Sequence, residues 1–257
     1  MNDFEGLGGI VTGAGSGIGK AVATRLAAGG GTVLAVDFNL DAVEQLADEN
    51  RGLAGSIVPH QADVTDAHQV AAYAQRAAEE LPSLWFFHNN AGVGGVHKDI
   101  VDITVEEWHR VMAINLHSFF YGMKYVLPYM VSAGGGAVVL TGSLLSLKAA
   151  PGRSDYTVSK HAVLGLARSA AAEHAKDGIK VNCICPGPIE TPLMAESERL
   201  VNPDDPAYER KRFEEGTPIG RYGRPEEVAE TIAFLLSTSV PYMTGAVVSL
   251  DGGLRAV

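Results

Sequence analysis

Residues 12–27 read TGAGSGIGKAVATRLA and join an apolar run, 7–12, to an alanine-rich amphipathic one. Gly13, Gly15, Gly17 and Gly19 alternate at that junction. A strand that empties into a glycine turn and then a helix brings bare backbone close to a pyrophosphate. The first N–H groups of the helix and the positive end of its dipole point to the same place. The spacing is not G-x-G-x-x-G, because Ile18 holds the third glycine position. A glycine cluster alone also serves as a plain structural turn, so its meaning depends on the rest of the chain.

Downstream of the turn, strands and helices alternate. Apolar runs at 7–12, 32–37, 56–60, 84–88, 137–141, 179–184 and 246–250 are separated by helical patterns at 17–29, 39–49, 66–80, 104–131, 155–176 and 225–237. Most of the strands are continuously apolar, as expected when helices cover both faces of a parallel sheet. The expected fold is α/β: a Rossmann-type doubly wound sheet of about seven strands in a single domain, 1–257. The rhythm breaks at 188–220, a long stretch rich in charge and proline, which is expected to contain a mobile helix and to form a substrate-side lid.

The chain has 257 residues, with 46% hydrophobic and 19% charged, enough for a large core. Its net charge of −10 and lack of a basic stripe disfavour nucleic acid. The start lacks the basic segment of a signal peptide, and no apolar run approaches a membrane span, so a cytoplasmic protein without a membrane partner is expected. Cys183 and Cys185 share one face of a strand, without the further ligands that a zinc site needs, and are expected to be buried and apolar. No metal site is expected.

The second strand ends at Asp37, about twenty residues beyond the glycine turn, where a carboxylate accepts both ribose hydroxyls of an adenosine. A 2′-phosphate would meet that charge, and neither Ser16 nor Phe38 offers a cation. NAD is therefore expected over NADP.

Further segments make the chain similar to the short-chain dehydrogenase/reductase family across nearly its whole length. TGAGSGIG matches that family's TGxxxGIG turn, NNAG at 89–92 the segment after its fourth strand, and Asp63 in ADV its adenine-contacting acid. Asn115, Ser143, Tyr156 and Lys160 fall on its Asn-Ser-Tyr-Lys tetrad, and PGPIETPL, PIGRYGRPEEVA and LDGG match later segments. Trp85, Phe86 and Phe87 depart from the aliphatics more usual on the fourth strand. The resemblance implies cofactor contacts from Gly13, Ser16, Gly17, Ile18, Gly19, Asp37, Asp63, Val64, Asn90, Ala91, Gly92, Tyr156, Lys160, Pro186, Gly187, Ile189 and Thr191. It implies specificity in the 188–220 segment and near the tetrad, where Gly94, Gly95, Val96, Leu144, Leu145, Arg153, Pro188 and Met194 suggest an apolar pocket with one cation.

The chemistry is set by spacing. Tyr156 and Lys160 stand four residues apart on a helix, so they leave one face together. An ammonium a few Å from a phenol favours the phenolate, which lets Tyr156 act as general acid/base on an alcohol or ketone. Ser143, at a strand end, holds the substrate oxygen beside it. By resemblance Lys160 also binds the nicotinamide ribose, and Asn115 kinks its helix and holds a water. The expected activity is hydride transfer between NAD(H) and a small secondary alcohol or ketone. Competing readings are an NADPH-dependent 3-oxoacyl-[acyl-carrier-protein] reductase and a catalytically silent NAD-binding sensor. For Arg153, pairing with an acidic substrate competes with a solvated surface role. For His97 a place at the mouth of the site competes with a plain surface or core role, His109 and His117 are read in surface or core roles, and Glu226 and Glu227 as acids capping a helix start.

Small residues on 155–176 (Ala162, Gly165, Ala167, Ala170, Ala171, Ala172) and bulk on 104–131 (Trp108, Phe119, Phe120, Tyr121) suggest self-complementary burial. A homotetramer is expected, with a dimer as fallback.

Overall fold

Seven parallel strands form the sheet of a computed structural model that describes residues 3–257. They are β1 (Gly8–Thr12), β2 (Thr32–Asp37), β3 (Ser56–Gln61), β4 (Leu84–Asn89), β5 (Gly136–Thr141), β6 (Ile179–Pro186) and β7 (Val247–Leu250), in the order β3-β2-β1-β4-β5-β6-β7. The order reverses between β1 and β4, so the loops leaving these strands diverge to opposite faces and open a crevice at their carboxyl ends. The helices are α1 (Gly17–Ala28), α2 (Leu40–Glu49), α3 (Ala67–Glu80), α4 (Val105–Met112), α5 (Ser118–Ser132), α6 (Ser154–His174), α7 (Pro192–Val201), α8 (Pro206–Gly216) and α9 (Pro225–Leu236).

Two apolar layers hold the sheet. On one face Val22, Leu26, Val228 and Ile232 meet Phe86; on the other Phe119, Met123, Met130 and Val163 meet Phe87. Phe86 and Phe87 of β4 thus divide between the layers, both fully buried and each contributing on the order of 1.5–3 kcal/mol. Space for Phe86 comes from Gly9 on the neighbouring strand, where a β-carbon would lie 2.1 Å from the ring. Phe86 also meets Phe4 edge-on, with centroids 5.7 Å apart. Trp85 donates its indole N–H to the Leu236 carbonyl at the end of α9.

One expectation is corrected and one extended. The helix expected over 104–131 is two α-helices joined by a π-helical turn, Ala113–His117. The 188–220 segment carries α7 and α8, each begun by an N-cap and a proline: Thr191–Pro192 and Asp205–Pro206. The helix that starts at Pro225 is capped as expected, with Glu227 Oε2 accepting the Arg224 N–H at 2.7 Å. Cys183 and Cys185 are free and buried. Among the described residues no helix is long and apolar enough to cross a membrane.

Candidate active site

The crevice begins at the glycine turn. A β-carbon on Gly19 would lie 2.0 Å from the Gly13 carbonyl oxygen, so α1 packs directly on the turn that precedes it. The Ser16 side chain caps nothing, Ser16 itself is exposed, and the first turn of α1 holds no acid. This leaves an anion-ready helix start, unlike α2, α3 and α4, whose N-cap side chains occupy their first N–H groups. The methyl of Thr191 stands opposite, 3.1 Å from where a β-carbon of Gly17 would sit. Bare backbone and free donors fit a pyrophosphate.

Asp37, at the end of β2, accepts the Gly15 N–H through Oδ2 at 2.9 Å and the Asn39 N–H through Oδ1 at 3.0 Å. Asp63, exposed beyond β3, accepts from the Thr65 N–H and hydroxyl at 2.8 and 2.7 Å, and Val64 is half-buried in that turn. The NNAG segment is tied down from both sides. Asn89 donates to the Phe119 carbonyl at 3.0 Å, and Asn90 donates to the Thr12 carbonyl at 3.0 Å and accepts from the Thr141 hydroxyl at 3.1 Å. The Ala91 N–H reaches the Thr12 hydroxyl at 3.2 Å. Past β6, the Gly187 N–H joins Leu250 at 2.9 Å, Ile189 is buried, and Thr191 caps α7 by accepting the Met194 N–H.

The tetrad residues converge at the far side of the crevice. The Lys160 ammonium is buried, donates to the Thr141 carbonyl at 2.9 Å and lies 5.7 Å from the centroid of the Tyr156 ring. Its main chain is fixed as well, because the Ser146 hydroxyl donates to the Lys160 carbonyl at 2.7 Å. Ser143 Oγ accepts the Leu145 N–H at 3.1 Å and reaches the Tyr156 phenol. Asn115, in the π turn, clamps the loop after NNAG. Its Oδ1 accepts the Val93 N–H at 2.8 Å, and its Nδ2 donates to the Val93 carbonyl at 2.9 Å and to Ser159 at 3.3 Å. Gly92 leaves room between these groups: a β-carbon there would stand 3.2 Å from Asn115 Oδ1 and 3.6 Å from Lys160 Nζ.

Burial pushes the Lys160 ammonium down to about 8. It pushes the Tyr156 phenol up, against the pull of Ser143 and of the Arg153 guanidinium. Helical spacing alone predicts the opposite, a phenol lowered by the ammonium. In the folded chain desolvation outweighs that attraction, and the nearer cation at the ring is Arg153, at 5.1 Å. Arg153 is neither free nor solvated. It is half-buried, with Nη1 donating to Ser197 Oγ at 2.8 Å and Nη2 to the Gly94 carbonyl. Beside it stand Gly94 and Leu193; Val96, Leu145 on the turn after Ser143 and Met194 on α7 are half-buried. His97 is exposed, next to Gly152.

Sequence reasoning missed Asp155. Its carboxylate is fully buried, accepting the Val96 N–H at 2.9 Å and the Tyr156 N–H at 2.7 Å. Gly95 has φ +74°, and a β-carbon there would strike that carboxylate at 2.6 Å. An acid beside the tyrosine of a Y-x-x-x-K pair was the available signal. The Glu198–Tyr222 contact at 2.8 Å, which anchors α7 from below, had none.

Known proteins resemble the chain over nearly its whole length. The model of the family described as enoyl-(acyl carrier protein) reductase matches residues 13–255. Cyclohexanol dehydrogenase of Acinetobacter sp. strain SE19 is 38% identical over 251 residues, which cover 98% of this chain and 96% of that one. The crystal structure of levodione reductase superposes with a TM-score of 0.96 at 36% identity over 99% of both chains. A candidate NAD(P)-dependent gluconate 5-dehydrogenase of Beutenbergia cavernae, with NADP bound at low occupancy, superposes at 0.90 with 32% identity over 100% of both chains. The chain belongs to the short-chain dehydrogenase/reductase family, whose dehydrogenases use NAD(P).

Proposed function

We propose that this chain is an NAD(H)-dependent oxidoreductase that interconverts a small secondary alcohol and its ketone, with Tyr156 as general acid/base. The observation that carries the reading is the gathering of Ser143, Tyr156, Lys160 and Asn115 beside a cradle of bare backbone. The dinucleotide, when bound, supplies or accepts the hydride. Gly13, Ser16, Gly17, Ile18 and Gly19 hold its phosphates and Asp37 its adenosine ribose. Asp63, Val64, Asn90, Ala91, Gly92, Pro186, Gly187, Ile189 and Thr191 complete the groove.

Ser143 positions the substrate oxygen, and Tyr156 gives it a proton in reduction or takes one in oxidation. Burial of the phenol favours its protonated form, which suits reduction. Oxidation needs phenolate, and the positive charge of Lys160 stabilises it. Lys160 loses that charge at about 8, so both reactions are expected to weaken well above this pH. Lys160 also reaches the nicotinamide ribose, and Asn115 fixes the loop that floors the site.

A carboxylate at Asp37 repels a 2′-phosphate, which supports NAD over NADP despite the NADP-bound neighbour. It also argues against an NADPH-dependent acyl-carrier reductase. Gly94, Val96, Leu145 and Met194 give an apolar pocket, α7 and α8 act as its lid, and alicyclic alcohols and ketones lead the substrate class because two relatives are named for them. The protein assembles as a homotetramer through outward residues of α4–α6 and around β7.

NADH formation across alicyclic alcohols, sugars and hydroxy acids tests the activity. Tyr156→Phe is expected to keep cofactor affinity while turnover falls by about 10²–10⁴. Turnover close to the unmodified enzyme's would end the general acid/base reading.

A further inference from the structure

Arg153 is built into the site more firmly than a surface arginine. One terminal nitrogen holds Ser197 on α7, the other holds the carbonyl of Gly94, and the buried Nε has no partner. The adjoining chain repeats the link: the Lys98 N–H bonds the Gly152 carbonyl at 3.1 Å, and the Val96 N–H bonds Asp155. The guanidinium is thus fixed between the 94–98 loop, the start of α6 and the lid helix, with its centre 5.1 Å from the centroid of the Tyr156 ring. Its hydrogen-bond partners are a hydroxyl and a carbonyl, so neither neutralises its charge.

We propose that Arg153 is a positioning residue which couples the seat of α7 to the ionisation of Tyr156: docked through Ser197 and Gly94, it sets a second fixed positive charge against the phenol. This goes beyond the Tyr–Lys pair and rests on the reading of Tyr156 as general acid/base. A cation within ~4–6 Å of an ionising group favours the anion. Burial still pushes the Tyr156 phenol up overall, and Ser143 and Arg153 are the two influences that resist it.

Other charged or titratable groups around the pair come from every neighbouring element. Lys160 and Asp155 lie on α6, and Cys185 on β6 opposes the phenolate. His97 from the loop, and Glu209 and Arg212 from α8, form one charge cluster with Arg153. Of these, Arg153 alone bridges the lid and the ring.

The test is a tyrosinate absorbance titration of the full chain, taken as the difference from Tyr156→Phe, together with the pH profile of alcohol oxidation. Arg153→Gln is expected to raise the Tyr156 midpoint and the apparent pKa of oxidation by about one pH unit. Arg153→Lys should restore part of the shift. Ser197→Ala, which keeps the charge but releases one tether, should raise both by a smaller amount. Should Arg153→Gln fail to fold, Arg153→Lys and Ser197→Ala still decide, since each predicts a midpoint above that of the unmodified chain. Midpoints unchanged in the folded variants would overturn the proposal. If instead Tyr156→Phe retains oxidation, the general acid/base reading falls, while the absorbance titration still judges Arg153 separately.

Discussion

The carboxylate of Asp37 spans 22 residues of chain to accept the Gly15 N–H at 2.9 Å, so one side chain both braces the glycine turn and sets the charge at the end of β2. Asp37→Ala is expected to reduce the NAD/NADP ratio of kcat/KM at least about tenfold, or roughly 1.4 kcal/mol. Affinity for both dinucleotides should fall slightly as the turn loosens. Adding Phe38→Arg, at a position 76% exposed, should push the ratio further toward NADP. An unchanged ratio in Asp37→Ala would remove this residue from the ribose site.

Asn115 satisfies both main-chain groups of Val93 from inside the π turn. Asn115→Ala leaves the N–H and carbonyl of half-buried Val93 unpaired, at about 1–3 kcal/mol each. With about 2–4 °C per kcal/mol for a domain of this size, the melting temperature should fall by about 4–24 °C. Turnover should fall as well. Asn115→Asp, which keeps the acceptor, should lose less in a thermal melt. Equal melts for both variants and the unmodified chain would disprove the clamp.

His88 is fully buried on β4, and burial holds its imidazole down to about 3. The Thr141 hydroxyl donates to Asn90 and so accepts from His88 Nε2 at 2.8 Å, leaving Nδ1 bare and without a partner. Because the folded value lies below the unfolded one, the unfolded chain binds more protons between about pH 6.5 and 3, and stability falls as pH falls through that window. At pH 5 the loss is about 2 kcal/mol. His88→Val should flatten the loss in urea midpoint between pH 7.5 and 5. An equally steep decline in the variant would assign the acid sensitivity elsewhere.

Assembly has two exposed apolar areas to work with. Val105, Phe120 and Val158 point outward from α4, α5 and α6, and Phe234 and Tyr242 lie exposed towards the other end of the chain. Several residues expected at an interface point inward instead: Phe119, Ala167, Ala170 and Ala171 belong to the core. Light scattering is expected to give about four times 27.0 kDa. Phe120→Glu should reduce that mass, and a particle of one chain in the unmodified protein would refute the assembly.

The strands were legible to within two residues because parallel strands covered on both faces read as unbroken apolar runs. Tyr156, Lys160, Ser143 and Asn115 were found from spacing and resemblance, and they converge. Three features were hidden. The resemblance implied a kink at Asn115, but not that the kink would be a π turn. That 188–220 holds two helices rather than one was masked by its charge, although Thr191–Pro192 and Asp205–Pro206 announce both. The direction of the Tyr156 shift depends on how deeply the phenol is buried, which spacing on a helix does not reveal.

The strand order also bears on synthesis. β2 and then β3 add outward on one side of β1; β4, β5, β6 and β7 add outward on the other. No strand is ever inserted between two that already pair. As the chain leaves the ribosome, each new strand meets an edge that is already waiting, and the sheet can grow in the order of translation. The glycine turn emerges first, yet its partner Thr191 arrives some 170 residues later. In a chain that folds as it is made, most of the scaffold would stand before the crevice has its second wall.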